Sequence, residues 1–310
     1  MSNKDSPKDP WKAHTQIDRE TFLKHIFKCA EWEKGRLGIN VYCVEPSYNV
    51  IETGPFIEYV GNKYPQFVFS KTEIEDMLDS GKWPSKEAQK RSDFPDDPST
   101  DGKLGELILF LFVDAVLEIP MVSHKLFWTQ EAVQEVKGSD GLFYGMHDGE
   151  ESLALGESKI QKRRSDALRN SLDSITRFYD PTGDTKTRHE LTVAADNLSS
   201  NLSEPELDKL RNLLKEGKQT YKQIHPIFAA YDESWMLDIQ AEAQDEDELR
   251  ELVADKIDNS GVKRYLFDKL DEEEYKKLKK YELIFFLLPL EDADSFREQL
   301  QHELYPYINS

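Results

Sequence analysis

The chain has 310 residues, with 60 acidic and 40 basic side chains and a formal net charge of −20. This charge excludes a protein that holds nucleic acid by bulk positive charge, so any contact with a polyanion must be local or supplied by a divalent metal or a basic partner. Two cysteines, Cys29 and Cys43, cannot form a zinc cluster or a disulfide framework. The apolar runs are too short to cross a bilayer, and the N-terminus does not resemble a signal peptide. We therefore expect a reduced, cytoplasmic protein that does not bind membranes.

The N-terminal part of the chain is predicted to be an α+β region. Its predicted elements, in chain order, are a helix at 21–33, strands at 38–44, 56–60 and 67–69, and a helix at 71–80 capped by Ser70 or Thr72. Residues 83–99 are rich in proline and charge. This change in composition predicts a domain boundary, with residues 1–98 as an N-terminal region and possible partner interface, and 99–310 as a second domain.

The second domain begins with a strongly apolar segment. Residues 102–118 predict a helix that is apolar on most sides and therefore buried. The elements predicted after it are strands at 121–128, 140–146 and 152–159, a helix at 163–179, a helical insertion at about 185–222, strands at 224–231 and 282–289, and helices at 238–258 and 293–304. The predicted fold class is therefore α/β in the broad sense of mixed helices and strands, and α+β in the stricter classification.

An acidic residue and a lysine stand out near the end of the third of these strands. Glu157 and Lys159 are two residues apart, so on a strand they point to the same face. Asp140 begins the neighbouring strand of the predicted hairpin, which brings its carboxylate close to Glu157. Two converging carboxylates repel each other unless a hard cation lies between them, and Mg²⁺ or Mn²⁺ suits such a site. With Lys159 beside a metal-bound water, the set predicts metal-assisted hydrolysis of a phosphodiester.

These residues resemble the signature of the PD-(D/E)xK superfamily, the restriction-endonuclease-like nucleases. The matching stretches are Gly138-Ser139-Asp140 and Leu155-Gly156-Glu157-Ser158-Lys159, with Ser139 in place of the motif's proline. The resemblance implies a core of order αβββαβ, which is the order predicted above, with an N-terminal α+β region and helical additions. It also implies that Glu106 joins Asp140 and Glu157 as a metal ligand, and that Lys159 is the catalytic lysine.

A closer resemblance is to the HamA family, the nuclease subunits of Hachiman-type anti-phage defence. It is carried by Gly105-Glu106-Leu107 together with the two stretches quoted above, and it is firmest over residues 100–165. It implies a bacterial DNA nuclease that is restrained by a superfamily-2 DNA helicase and released on DNA altered by phage. No small-molecule cofactor is implied. A helicase that grips the DNA would also account for the acidity of this chain.

A local basic cluster follows the predicted site. It comprises Lys159, Lys162, Arg163, Arg164 and Arg169. Basic side chains at the start of a helix beside a metal cleft suit a phosphate backbone, so we expect Lys162, Arg163 and Arg164 to contact DNA. The alternative is an ordinary solvated helix face.

Other interpretations remain open for the predicted site. Glu157 and Lys159 alone could be an exposed pair on an edge strand, because so short a motif is common by chance. Glu106, in the first turn of its helix, could simply complement the helix dipole. Asp114 interrupts the apolar helix and could line the cleft, but the acceptance of a local hydrogen bond is favoured.

Alternatives also concern the histidines and the function as a whole. Four of the seven histidines, His124, His147, His189 and His225, could suggest a metal site or a catalytic triad. No two of them have the spacing of metal ligands, so they are interpreted as core or surface residues. The main alternative function is a catalytically inactive nuclease-like subunit that binds or senses DNA. A restriction enzyme acting alone is disfavoured by the charge.

Overall fold

The fold is taken from a computed structural model, which describes residues 9–91, 102–123, 139–179, 188, 191–216 and 221–305. Its strands are β1 (Ile26–Lys34), β2 (Leu37–Val44), β3 (Met121–Ser123), β4 (Gly141–His147), β5 (Glu150–Ile160), β6 (Lys222–Asp232) and β7 (Glu282–Leu290). Its α-helices are α1 (Arg19–Phe22), α2 (Thr53–Asn62), α3 (Tyr64–Val68), α4 (Lys71–Asp79), α5 (Pro84–Arg91), α6 (Lys103–Phe112), α7 (Arg164–Phe178), α8 (Glu204–Glu216), α9 (Met236–Glu242), α10 (Glu246–Asn259), α11 (Val262–Lys269) and α12 (Ala293–Leu304).

All seven strands form one mixed sheet of order β1-β2-β7-β6-β5-β4-β3. The three central pairings, β2 with β7, β7 with β6 and β6 with β5, are parallel, and the outer pairings are antiparallel. Parallel strands need helical crossovers that cover the sheet, and both faces are indeed covered. The elements α6, β3, β4, β5, α7 and β6 follow in the predicted order, so the αβββαβ core and the α/β fold class are confirmed.

Two apolar layers fill the two faces of the sheet. On one face α6 packs with α2, α3 and α12, and every residue of α6 from Leu104 to Phe112 is buried. On the other face α7 packs with α9, α10 and α11. The helices α6 and α7 therefore lie on opposite faces of the sheet, with β5 and β6 between them. No helix among the described residues is long and apolar enough to cross a membrane.

Several N-terminal predictions are wrong. Residues 21–33 are not one helix, because α1 ends after Phe22 and β1 begins at Ile26. The apolar spacing that resembled a helix belongs to an edge strand, and pairing with β2 overrides the local preference. The predicted strands at 56–60 and 67–69 are the helices α2 and α3, since short apolar runs do not distinguish a strand from a buried helix.

Other local predictions are confirmed or need a smaller change. Ser70 caps α4 in a capping box with Glu73, as one of the two predicted caps. The acidic helix predicted at 238–258 is instead two helices, α9 and α10, because Asp245 caps the second of them. The predicted strand at 121–128 is observed as β3 up to Ser123, and its remainder lies outside the described residues.

The predicted N-terminal region and the predicted second domain contribute strands to the same sheet. β2 runs parallel to β7, with Leu37 opposite Leu283 and Val41 opposite Leu287. The boundary predicted at residue 98 falls within 92–101, outside the described residues, and it stays a prediction, as does the role of residues 1–98 as a partner interface.

Asp114 ties the N-terminal segment to the core. Its Oδ1 accepts hydrogen bonds from the backbone N–H of Gln16, at 2.9 Å, and of Ile17, at 2.8 Å. Asp114 is therefore a hydrogen-bond acceptor as predicted, but the prediction that the bond is local is wrong, because the partners lie 98 and 97 residues away in the chain. Burial raises the pKa of Asp114 to about 7, and the two backbone donors act in the opposite direction.

We expect Asp114→Ala to lower the free energy of unfolding by about 2–4 kcal/mol, because two buried backbone donors lose their acceptor. Asp114→Asn keeps an acceptor at the same place and resembles the protonated acid, so we expect a loss below about 1 kcal/mol. Urea unfolding at pH 7.5 measures both values. Equal losses in the two variants would contradict the role of Asp114 as an acceptor.

Candidate metal-dependent active site

The candidate site lies where β5 parts from β4. The pairing of these strands ends with Gly141 opposite Gly156, while β5 continues alongside β6 from Glu157 to Ile160. Just before β4, the backbone N–H of Asp140 donates to the carbonyl of Gly156 at 2.9 Å. The last residues of β5 are therefore paired with β6 alone, and the Asp140 side chain lies on their other side.

Side chains of this segment alternate between the two helices, as strand geometry requires. Ser158 faces α6: a Cβ built on Gly105 would lie 2.9 Å from its Oγ. Glu157 and Lys159 face α7, whose Ser174 hydroxyl hydrogen-bonds Glu157. The predicted shared face of Glu157 and Lys159 is therefore observed.

Asp140 is held by Ser158. Oδ2 of Asp140 accepts hydrogen bonds from both the backbone N–H and the hydroxyl of Ser158, each at 2.8 Å. Two donors on one carboxylate oxygen fix the orientation of the group. Asp140 is thereby presented at the open side of β5 next to Glu157.

Glu157 is a buried acid with a cationic partner. It is only 4% exposed, and burial raises its pKa to about 7. The nearby charge of Asp140 raises the pKa further, whereas Lys159 and Ser174 lower it. The Lys159 ammonium contacts Oε1 of Glu157 and donates to the carbonyl of Ser158 at 3.0 Å. Asp140, Glu157 and Lys159 are therefore brought together as predicted.

Glu106 lies one residue after the glycine that contacts Ser158, and it is 9% exposed. Its Oε1 lies 4.0 Å from where a Cβ on Gly102 would be, so the carboxylate reaches back over the start of α6. The ligand atoms of Glu106, Asp140 and Glu157 do not all fall within 4.8 Å of one another. The three carboxylates therefore do not form a ready-made metal site as they stand, and the role of Glu106 as a ligand stays a prediction.

The donor set suits a hard divalent cation. Asp140 and Glu157 both offer carboxylate oxygens. Their negative charges repel each other, and for this reason Asp140 raises the pKa of Glu157. Mg²⁺ and Mn²⁺ prefer such oxygen ligands, and a cation between the two groups would remove their repulsion. Asp140 and Glu157 therefore have the donor chemistry that such a metal requires.

An open groove of about 560 Å³ leads to Lys159. One wall is α7, with Asn170, Ser174 and Arg177, and Glu274 and Tyr275 lie on the other side. The Lys159 side chain is 25% exposed, so the ammonium is accessible from this groove.

Most of the basic cluster is already paired within the protein. Lys162 contacts Asp294 at 2.5 Å, and Arg164 contacts Glu233 at 2.5 Å. Arg169 pairs with Asp166 at 2.9 Å. Arg163 is exposed and makes no ion pair within the described residues. Contact between this cluster and DNA stays a prediction, and Arg163 is its most available member.

The histidines have other roles. His147, Asp148 and Glu282 form the one group of three possible metal ligands found in the described part of the chain. Lys222 already contacts both carboxylates there, so an ammonium supplies the positive charge. His225 is completely buried in β6. His225 is thus a core residue, and His147 is partly buried and hydrogen-bonded to Glu282 at 3.0 Å, while His124 and His189 lie outside the described residues.

The sequence interpretation did not identify Gly105 and Ser158 as site residues. Glycine is unfavourable inside a helix, so Gly105 in an otherwise apolar helix indicated a close approach by another group. The identity of that group depends on how α6 is placed over β5, which no local pattern reveals. Ser158 itself carried no signal beyond pointing away from Glu157.

Comparison with known proteins gives one family. The family model HamA matches residues 20–304. A comparison with curated proteins yields no match. The matched range covers the sheet, both helical layers and every residue of the candidate site, so the chain belongs to the HamA family.

Proposed function

We propose that the protein is a metal-dependent DNA nuclease that hydrolyses phosphodiester bonds with Mg²⁺ or Mn²⁺. The observation that carries the proposal is the convergence of Asp140, Glu157 and Lys159 where β5 parts from β4. Paired carboxylates beside an accessible lysine are the groups that metal-assisted phosphodiester hydrolysis needs.

Each residue of the candidate site has a proposed role that follows from its environment. Asp140 and Glu157 would hold the cation, which when bound supplies Lewis acidity toward a phosphate oxygen and lowers the pKa of a water. Lys159 balances the buried charge of Glu157, and from the groove its ammonium can stabilise negative charge that develops on the phosphate. Ser174 donates to Glu157 from α7 and holds its carboxylate in place.

We further propose that the nuclease is the effector subunit of an anti-phage defence complex whose partner is a superfamily-2 DNA helicase. Membership of the HamA family supports this assignment. The formal charge of −20 supports it too, because a nuclease this acidic gains DNA affinity from a subunit that grips the strand. The helicase would restrain the site and activate it on DNA altered by phage.

Divalent metal should control cleavage directly. We expect the purified protein without the helicase to cut DNA with Mg²⁺ or Mn²⁺, and the complex to cut only DNA that releases the restraint. Both activities should be lost when the metal is chelated. Plasmid and linear substrates in parallel reactions measure the effect. Cleavage that persists in excess chelator, or that never appears with either metal in the presence of the partner, would contradict the proposal.

The basic cluster offers a separate prediction. Reversing the charges of Lys162, Arg163 and Arg164 together should slow cleavage about 3–10-fold and reduce its salt dependence, because each lost phosphate contact removes about one unit of the logarithmic salt slope. Arg163→Glu alone should give much of the effect, since it breaks no ion pair with a described residue. Arg211→Glu, on the exposed side of α8, is the matched control. Unchanged rates and salt slopes in the triple variant would rule out DNA contact here.

A further inference from the structure

We infer that Ser158 is the positioning residue of the metal site and that Gly105 exists to make room for it, an inference that rests on the proposed function. Asp140 precedes β4 rather than belonging to it. Ser158, on the neighbouring strand β5, holds the carboxylate through two hydrogen bonds of 2.8 Å to the same oxygen.

The two donors come from one residue on a rigid strand. Beyond Gly156 the strand β5 has parted from β4, and the N–H of Ser158 donates to the Asp140 side chain. On its other side β5 is hydrogen-bonded to β6, with Ser158 opposite Phe228. Because Ser158 is 5% exposed, water does not compete for its hydroxyl. Oδ2 of Asp140 is therefore fixed by two donors, in a carboxylate close enough to Glu157 to raise its pKa.

Gly105 completes the arrangement from the other side of the sheet. A Cβ at this position would lie 2.9 Å from Oγ and 3.1 Å from Cβ of Ser158. Real Cβ atoms do not approach that closely, so any larger residue would displace the serine from Asp140. This explains a glycine in the first turn of a buried helix, where alanine would be favoured by about 1 kcal/mol.

Ser158 differs from the residues already assigned. Glu157 and Lys159 face α7 and the groove, whereas Ser158 faces α6 and reaches the site only through Asp140. It is a positioning residue, and its loss should weaken the hold on the metal without removing a ligand. The loss of such an outer partner typically costs about 10–100-fold in metal affinity.

Mn²⁺ binding to the DNA-free protein tests the inference, measured by the electron paramagnetic resonance signal of free Mn²⁺. We expect Ser158→Ala to weaken binding about 10–100-fold. Gly105→Ala, which keeps every donor and acceptor, should weaken it as well. Ser152→Ala is the matched control, because Ser152 is equally buried on the same strand and bonds only the carbonyl of Glu150 at 3.2 Å. It should bind Mn²⁺ like the wild type.

The outcomes separate this inference from the proposed function. Wild-type affinity in Ser158→Ala, or in a folded Gly105→Ala should the serine variant not fold, would overturn the positioning role while leaving the metal site intact. Absence of Mn²⁺ binding by the wild type, or undiminished binding by Asp140→Ala, would overturn the metal site itself. The double variant with Ser158→Ala and Gly105→Ala should lose less free energy of Mn²⁺ binding than the sum of the two single losses, because both substitutions act on the same contact.

Discussion

Glu157→Gln is expected to abolish DNA cleavage while making the protein more stable at pH 8. Glutamine has nearly the same shape and can still accept from Lys159, but it is a far poorer ligand for a hard cation. We expect the cleavage rate to fall by about 10²–10⁴-fold, the range typical for removing one electrostatic or acid–base group. Cleavage of plasmid DNA at saturating Mg²⁺ measures this loss.

The gain in stability follows from the raised pKa of Glu157. The pKa rises from an ordinary 4.5 to about 7 in the folded protein, so folding favours the protonated acid. The stability that this preference supplies is full below pH 4.5 and is lost as the pH rises to 7. Because one pKa unit corresponds to about 1.4 kcal/mol, Glu157→Gln should gain about 1–3 kcal/mol at pH 8 and nothing at pH 4.5.

Lys159→Met is the companion variant, with the opposite effect on stability. It should also lose cleavage, but it leaves the Glu157 charge buried without its cationic partner, so unfolding at pH 8 should become easier by about 1–3 kcal/mol. Normal cleavage by both variants would refute the site. Lost defence in cells with normal DNA cleavage would instead favour a role in complex assembly, and DNA binding without cleavage by the wild type would favour the inactive sensor subunit.

The parts of the fold that could be predicted are those that a local sequence pattern determines. The buried helix α6, the hairpin of β4 and β5, and the helix α7 each have a strong period or a defined turn, and the order αβββαβ follows from them. The N-terminal elements failed because their short apolar runs fit either a helix or a strand. Whether residues 26–34 form a strand was decided by pairing with β2, which is tertiary information.

The same division applies to the candidate site. Alternation along a strand placed Glu157 and Lys159 on one face, and the hairpin placed Asp140 next to them. The position of Glu106 relative to these residues could not be predicted, because it depends on how α6 is placed over the sheet, which no local pattern reveals. The roles of Ser158 and Gly105 could not be predicted either, because they depend on the distance between that helix and the sheet.

His225 should give the protein a loss of stability in mild acid. It lies in β6 behind the site, where its Nδ1 hydrogen-bonds the carbonyl of Leu155 at 3.1 Å and its Nε2 contacts the Tyr179 hydroxyl. Since a carbonyl only accepts, Nδ1 carries the proton and Nε2 accepts from the tyrosine, so the ring is neutral. Complete burial lowers the pKa of His225 to about 4, and the Leu155 carbonyl opposes this shift only weakly.

The sign of the effect follows from this lowered pKa. Between pH 6.5 and 4 the unfolded chain binds a proton at His225 and the folded protein does not, so acid favours unfolding. The contribution is fully present above pH 6.5 and declines by about 3 kcal/mol as the pH falls to 4. Acids with raised pKa values, such as Asp114 and Glu157, change stability in the opposite direction over part of this range. Only a comparison with a variant isolates the histidine.

His225→Phe provides that comparison. It fills a similar volume but leaves the Leu155 carbonyl and the Tyr179 hydroxyl unpaired in the core, so it should be less stable than the wild type by about 2–4 kcal/mol at pH 7.5. The difference should shrink toward zero at pH 4, because the phenylalanine variant has no proton to exclude. Urea unfolding of both proteins from pH 4 to 8, with exposed His302→Ala as control, measures the two curves. Parallel curves for wild type and His225→Phe would mean that the pKa of His225 is the same in the folded and the unfolded protein, which would contradict the effect of burial on this ring.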